Sequence, residues 1–595
     1  VFLIMLSYLF VCACATLALA QNGPQVNTTQ GTVVGSIATD GTYYVFYGLH
    51  YAGSTSNANR FKAPTPAPVY PGVFSAIDNS VICAQPGPNG LVGVEDCLVL
   101  NVYTSSINTT KPVLVWLQSE EFTTTDNNIH SFKTLVEAGF VVVKLNYRLS
   151  IFGFLCLGVN EAPGNVGLKD VVQGLQWVQN NIAGFGGDRN NVVLFGHGSG
   201  AAIVDLITMS PLAQGLVHKA FAQSGSALSP WAIAYNPVQN AQAVGDKLGY
   251  GGKSGADLAQ HFTTTDIHVL INALNGFDFW NNTILFPPCI ENRNLNNSFL
   301  TDAPINILRS GNYSHVPYIA SYVTREGTLR APQAQAWVAR MDSHFEDFLQ
   351  ADLQFPSAAN KTSVATAIRQ FYFAQNAINM GSTEDYLDYH GDTLILVSVI
   401  RGVRERVSTS RADVRLLEFA YRGTRNSDWL FPNIQLTGVR HGEILKYFHK
   451  YDLRSQTDDE VANSLVNRLM AFALNGYPPV KVQSSNFDIT NRHFSFIYIS
   501  FFFSSNPTPS NATQWLPITS ATNLSYLRYS GGEVQPGLFV TTEEGVANPH
   551  TTRMTFWNNI YASHYVAPSA VRSGGSIVTS FTFAIFLCLT LVSTF

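Results

Sequence analysis

"NVVLFGHGSGAAIVDL", residues 191–206, is the stretch that decides the fold. Asn191 leads into four apolar residues, Val192-Val193-Leu194-Phe195, the composition of a strand covered on both faces. Gly196-His197-Gly198-Ser199-Gly200 then turns the chain, and "GAAIVDLITM" (200–209) opens a helix with no intervening loop. The same grammar extends in both directions. "PVLVWL" (112–117) and "FVVVKLNY" (140–147) are apolar β-rich runs, and "LKDVVQGLQWVQNNI" sets Leu168, Val171, Leu175, Val178 and Ile182 on one helical face. "VPYIASYV" (316–323) and "VRLLEFAY" (414–421) read as further strands, and "AQAWVARMDSHFEDFLQADL" (334–353) as a helix. Strands alternating with helices imply an α/β fold: one large domain with a mostly parallel, doubly wound sheet and helices on both faces. No linker divides residues 25–560.

The 595 residues are 46% hydrophobic with a net charge of −5, and no long basic run offers itself to nucleic acid. "VFLIMLSYLFVCACATLALA" (1–20) has the apolar run and Ala-Leu-Ala end of a signal peptide cleaved before Gln21. "IVTSFTFAIFLCLTLVSTF" (577–595) is apolar and uncharged below the small-residue cluster at Ser573–Ser576, which implies lipid (GPI) attachment at Ser573 or Gly574, with a plain membrane anchor as the alternative. The expected organisation is therefore a signal segment (1–20), a catalytic-size domain (21–565) and an attachment region with a removable tail (566–595). Sequons at Asn27, Asn108, Asn281, Asn296, Asn312, Asn360, Asn511 and Asn523 fit a glycosylated surface on the extracellular face of the plasma membrane. Cys156, inside the apolar "FGFLCLG", reads as a buried free thiol, and Cys289 has no assigned partner.

The turn at 196–200 raises the chemical question. A strand–turn–helix carrying G-x-S-x-G presents its central serine as a nucleophile. Here Gly198 is central and Ser199 stands one place late. A shift of one residue at a helix start rotates a side chain by about 100° around the axis.

The chain resembles the type-B carboxylesterase/cholinesterase family of α/β-hydrolases through an ordered series: "VEDCLVLNVY", "VVVKLNYRLSIFGFL", "APGNVGLKDVVQGLQWVQNNIAGFGGDRNNVVLFG", "SPLAQGLVHKAFAQSGSAL", "LEFAYRG" and "RMTFWNNIY". The resemblance implies a Cys83–Cys97 disulfide and a Ser–acid–His triad whose positions fall on Gly198, Glu326 (in "SYVTREGTL") and His441 (in "GVRHGEILKYF"). It also implies a glycine-rich oxyanion loop after the "VLVW" strand, where this chain has Ser119, Glu120 and Glu121. Side chains there disfavour left-handed backbone, and an inward carboxylate opposes a developing oxyanion. Two catalytic devices altered at two loci lead to the expectation of a non-catalytic member, similar in kind to neuroligins, neurotactin, gliotactin and glutactin. Such a chain works by recognising an extracellular or membrane protein partner.

On that expectation Glu326 and His441 survive as a structural pair, and His197 as a partly buried polar residue. The alternatives are ester hydrolysis through Ser199, or retention of a small apolar ligand in the former gorge. No cofactor is expected. His197, His441 and His449 lack ligand-type spacing, so no metal site is expected either. The Cys83–Cys97 loop contains no Trp for choline. The segment "TTRMTFWNNIYASHYV" is a candidate homodimer element.

Overall fold

The computed structural model describes residues 23–125, 131–251, 254–424, 436–449, 455–475, 513–535 and 538–571. The signal segment, the Ser573–Gly574 attachment site and Asn511 lie outside them.

One sheet organises the molecule. Its strands are β1 (Ser36–Ile37), β2 (Tyr44–His50), β3 (Val99–Thr104), β4 (Lys111–Ser119), β5 (Val141–Leu145), β6 (Gly187–Gly198), β7 (Lys219–Gln223), β8 (Tyr318–Val323), β9 (Val414–Arg422), β10 (Ser525–Gln535) and β11 (Leu538–Ala547). Their spatial order is β11-β10-β9-β8-β7-β6-β4-β5-β3-β2-β1. Every pairing from β5 through β10 is parallel, and the flanking strands run antiparallel. The α/β-hydrolase expectation for the fold is met, with antiparallel edges added to the parallel centre.

The uniformly apolar strands follow from burial on both faces. Val113, Val115 and Leu117 of β4 enter one core, with Val192 and Leu194 of β6. Leu114, Trp116, Val193 and Phe195 enter the other. Helices α1 (Val166–Asn181) and α2 (Ser199–Met209) cover the first face, with Leu168, Val171, Leu175 and Val178 pointing inward as the spacing implies. Helix α4 (Gln456–Asn475) covers the second through Val461, Leu465, Leu469 and Phe472. Helix α5 (Thr551–His564), which contains most of the candidate dimer segment, buries Met554 and Trp557 in the first core. Among the described residues no helix is long and apolar enough to cross a membrane.

The segment 334–353 is not one helix. Helix α3 (Ala334–Ser343) stops there because the Ser343 hydroxyl bonds back to the carbonyls of Ala339 and Arg340 and His344 leaves helical geometry (φ −139°, ψ 55°). A single 3-10 turn, Phe345–Phe348, follows.

Two disulfides are present. Cys83–Cys97 closes a short loop, as the resemblance implies. Cys156 is no free thiol: it is bonded to Cys289, whose Cα lies 6.5 Å away. The apolar setting of Cys156 is real, but the partner arrives on a distant loop. Asn165 at the start of α1 pins that loop, donating to Cys289 O at 2.8 Å and accepting from its N–H at 2.8 Å. Helix α1 is further tied by two buried ion pairs, Arg148–Asp170 and Lys169–Glu291, each 2.6 Å. Removing one partner from such a pair costs about 3–5 kcal/mol.

Candidate active site

Strand register brings the two altered loci together. β6 and β4 are parallel neighbours with Gly198 opposite Ser119, so the loop after β4 lies beside the turn into α2. Gly198 has φ 61° and ψ −125°, a backbone that side-chain-bearing residues adopt at a cost of about 1–3 kcal/mol. A β carbon there would sit 2.9 Å from Ser119 O and 3.0 and 3.2 Å from the Glu120 carboxylate oxygens. The loop itself carries left-handed backbone at Glu121 (φ 51°) and Phe122 (φ 55°), so the side chains tolerate the conformation the sequence argued against. A tight turn fixes it: the Glu120 N–H donates to Thr124 O at 2.8 Å, and Glu120 O accepts from Thr123 at 2.9 Å.

Glu326 and His441 meet because the chain after β8 pairs with the His441 loop. The Arg325 N–H donates to Val439 O at 2.8 Å, and the His441 N–H to Thr328 Oγ1 at 2.9 Å. Glu326 Oε2 lies 2.6 Å from His441 Nδ1, while Glu326 Oε1 accepts the Val323 N–H at 2.8 Å. The acid and imidazole positions implied by the resemblance therefore form the contact that fixes an imidazole's orientation in a hydrolytic site.

Ser199 does not face His441. Its Oγ accepts the Phe122 N–H at 2.8 Å and contacts Ser119 O at 2.8 Å and Ser119 Oγ at 2.7 Å. Tyr147 donates in turn to Ser119 Oγ at 2.6 Å. The hydroxyl ties the loop after β4 to the start of α2.

The place facing His441 Nε2 is taken by Glu120, whose Oε2 is 3.4 Å away. Its Oε1 is 3.4 Å from His197 Nδ1, and the His197 and His441 ring centroids are 4.7 Å apart. His197 is not partly buried but 1% exposed, and neither ring nitrogen has a hydrogen-bond partner. Glu120 keeps 37% of its side-chain exposure and closes the cluster toward solvent. Glu121 turns the other way and pairs with Arg330. His449 is elsewhere, packed on Trp116 with ring centroids 4.7 Å apart.

Burial works to lower the His441 pKa, but Glu120 and then Glu326 outweigh it and push it up to about 10. Burial likewise works to raise Glu120, yet His441 and His197 hold its carboxyl well below the usual range. The pair is an imidazolium beside a carboxylate at neutral pH. Glu120, His197 and His441 form a cluster with ligand-type donor atoms within 4.8 Å of one another. Sequence spacing concealed it, since the three come from the ends of β4 and β6 and a loop beyond β9. Of the sequons, Asn27, Asn108, Asn296, Asn312 and Asn523 are exposed, and Asn281 and Asn360 are half-buried.

Comparison with known proteins places this geometry. A family model described as "Carboxylesterase family" matches residues 22–537. The chain is 28% identical to venom carboxylesterase-6 of Apis mellifera, over 76% of this chain and 86% of that protein. It is 28% identical to juvenile hormone esterase of Tribolium castaneum, over 78% and 86% respectively. A crystal structure of juvenile hormone esterase from Manduca sexta, with OTFP covalently attached, superposes with a TM-score of 0.74 at 22% identity, covering 91% of this chain and all of that one. These findings overturn the expectation of a non-catalytic chain: the Apis and Tribolium relatives, which match over three quarters of its length, are named esterases. The expectation took altered side chains at Gly198 and in the Ser119–Glu121 loop as the end of the chemistry, and the esterase names of these relatives count against that step. The chain belongs to the carboxylesterase family.

Proposed function

We propose that this chain is a carboxylic ester hydrolase whose attacking group is water. The observation that carries the reading is the 2.6 Å contact of Glu326 with His441 beside the Gly198 turn, in a carboxylesterase-family chain. The esterase names of the Apis and Tribolium relatives support the same reaction. Hydrolysis needs an attacking oxygen, a group that handles it, and donors for the carbonyl oxygen as charge develops. Ser199 Oγ is occupied by the loop after β4, so the attacker is water held at the Glu120–His197–His441 cluster. The first N–H groups of α2 lack intrahelical partners and lie at the positive end of its dipole, which suits the carbonyl oxygen.

The test is hydrolysis of p-nitrophenyl acetate and butyrate by the purified chain. His441→Ala is expected to lower kcat/KM about a hundredfold or more. A rate equal to buffer, or one that His441→Ala leaves unchanged, refutes the reading.

Secretory passage belongs to the same proposal and is supported by the two disulfides and the exposed sequons. Lipid attachment at Ser573 or Gly574 requires that phosphatidylinositol-specific phospholipase C release the chain from expressing cells. Retention after that treatment counts against it.

A further inference from the structure

Three side chains of metal-binding type converge where β4, β6 and the His441 loop end. Glu120 stands between two imidazoles, with one oxygen 3.4 Å from His197 Nδ1 and the other 3.4 Å from His441 Nε2. One ligand atom from each residue lies within 4.8 Å of the others, against about 3.4 Å on a tetrahedral ion with bonds of about 2.1 Å, so a shared ion draws the three side chains inward.

Two independent features point to a ligand. His197 is 1% exposed, yet its Nδ1 has only the 3.4 Å contact with Glu120, too poorly aligned for a hydrogen bond, and its Nε2 has no partner. An unsatisfied buried polar group destabilises the fold, and a coordinate bond removes that cost. Glu326 grips His441 from behind at Nδ1, leaving Nε2 forward. A carboxylate behind a histidine is the arrangement that orients imidazole ligands on metal ions. Glu326 is itself anchored by the Val323 N–H, so the support extends into β8.

We infer that Glu120, His197 and His441 bind one divalent transition-metal ion, with Zn2+ the best match to two nitrogens and one oxygen in a tetrahedral set. Three protein ligands leave the fourth position to water, the pattern of a hydrolytic rather than a structural site. Glu120, still partly exposed, keeps the cluster in contact with solvent, from which an ion can arrive.

The inference rests on the ester-hydrolase reading for its chemistry but not for its binding. The ion lowers the pKa of a coordinated water to about 7. That water gives one proton to solvent and its oxygen to the ester carbonyl carbon. The bond from that carbon to the alkoxy oxygen then breaks, and the proton remaining on the attacking oxygen passes to the alkoxide. Carboxylate and alcohol leave with no change in oxidation state.

The experiment uses the full purified chain, stripped with EDTA and titrated with Zn2+ by calorimetry and with Co2+ by visible absorption. The expected result is one equivalent per chain and the absorption of tetrahedral Co2+. Loss of stoichiometric binding is expected in His197→Ala, and a tenfold to hundredfold weakening in Glu326→Gln. The Co2+ spectrum of the unaltered chain keeps the test decisive if His197→Ala misfolds. No saturable binding by the unaltered chain, or binding that a folded His197→Ala retains, overturns the inference. Ester hydrolysis that survives EDTA with no ion retained overturns the ion's part in the reaction while leaving the hydrolase reading in place. One bound equivalent without hydrolysis upholds the site and sinks that reading instead.

Discussion

Replacing Gly198 with alanine tests whether the apex of the turn is as crowded as the geometry says. The backbone at φ 61° and ψ −125° imposes about 1–3 kcal/mol on any residue with a β carbon. The added carbon would also lie 2.9 Å from Ser119 O, on a strand end that cannot retreat, and 3.0 Å from Glu120 Oε2, which can swing. Together strain and crowding amount to about 3 kcal/mol. Unfolding entropy of about 2.1 cal/mol/K per residue over 595 residues makes this a fall in Tm of about 2–3 °C. Differential scanning calorimetry at one scan rate reads it. In the double variant Gly198→Ala/Glu120→Ala the carboxylate contact is gone while the contact with Ser119 O remains. The two effects should therefore fail to add, with part of the loss recovered. A Gly198→Ala chain as stable as the original, or strict additivity in the double variant, refutes the claim that the Glu120 carboxylate fills the apex.

Gly198→Ser alone should gain no labelling by a fluorophosphonate probe, whereas Gly198→Ser with Glu120→Gly should gain it; mass spectrometry of the labelled peptide decides. In the metal-stripped chain the His441 imidazole should titrate near a pKa of about 10, and Glu120→Gln should bring it down, because Glu120 is the largest influence raising it; NMR of the ring protons reads both. Ser199→Ala should cost about 1–3 kcal/mol by stranding the Phe122 N–H, yet leave His441-dependent hydrolysis measurable; complete loss of activity in a folded variant would restore Ser199 as the attacker. Burial pushes the Asp352 carboxyl up to about 6. Between its ordinary value and 6 the unfolded chain ionises while the folded one stays protonated, so stability falls as pH rises through that window. Asp352→Asn should therefore raise Tm more at pH 8 than at pH 3.5.

The central sheet was legible because strands buried on both faces leave continuous apolar runs, and β4, β5, β6, β8 and β9 all fall where such runs occur. The register between strands was not legible. Nothing local to "WLQSEEF" indicates that Ser119 pairs with Gly198, and without that pairing Glu120 has no stated direction. His197 occupied a variable position of the turn and offered no signal of its own. Its importance lies in the missing partners, a property of the folded interior. The Cys156–Cys289 bond escaped for a related reason: 133 residues separate the two, and their meeting depends on Asn165 pinning a remote loop. The end of α3 at Ser343 did carry a local signal, in a Ser-His pair that competes with the helix for its own backbone groups.

The glycine at 198 and the carboxylate at 120 are a single structural choice. A side chain at the apex and one reaching in from the neighbouring strand would claim the same volume, and here the volume has gone to the second. The exchange alters more than the identity of one oxygen. A serine hydroxyl facing Nε2 needs a neutral imidazole to take its proton, whereas Glu120 at 3.4 Å holds His441 as an imidazolium that has none to accept. With Ser199 Oγ held by Ser119 and Phe122, the proposed hydrolysis is not serine chemistry moved sideways by one residue. It has to come from an oxygen that reaches the ester already activated. The ion proposed at Glu120, His197 and His441 would supply that oxygen, since the three side chains converge where the ester carbonyl would meet the Gly198 turn.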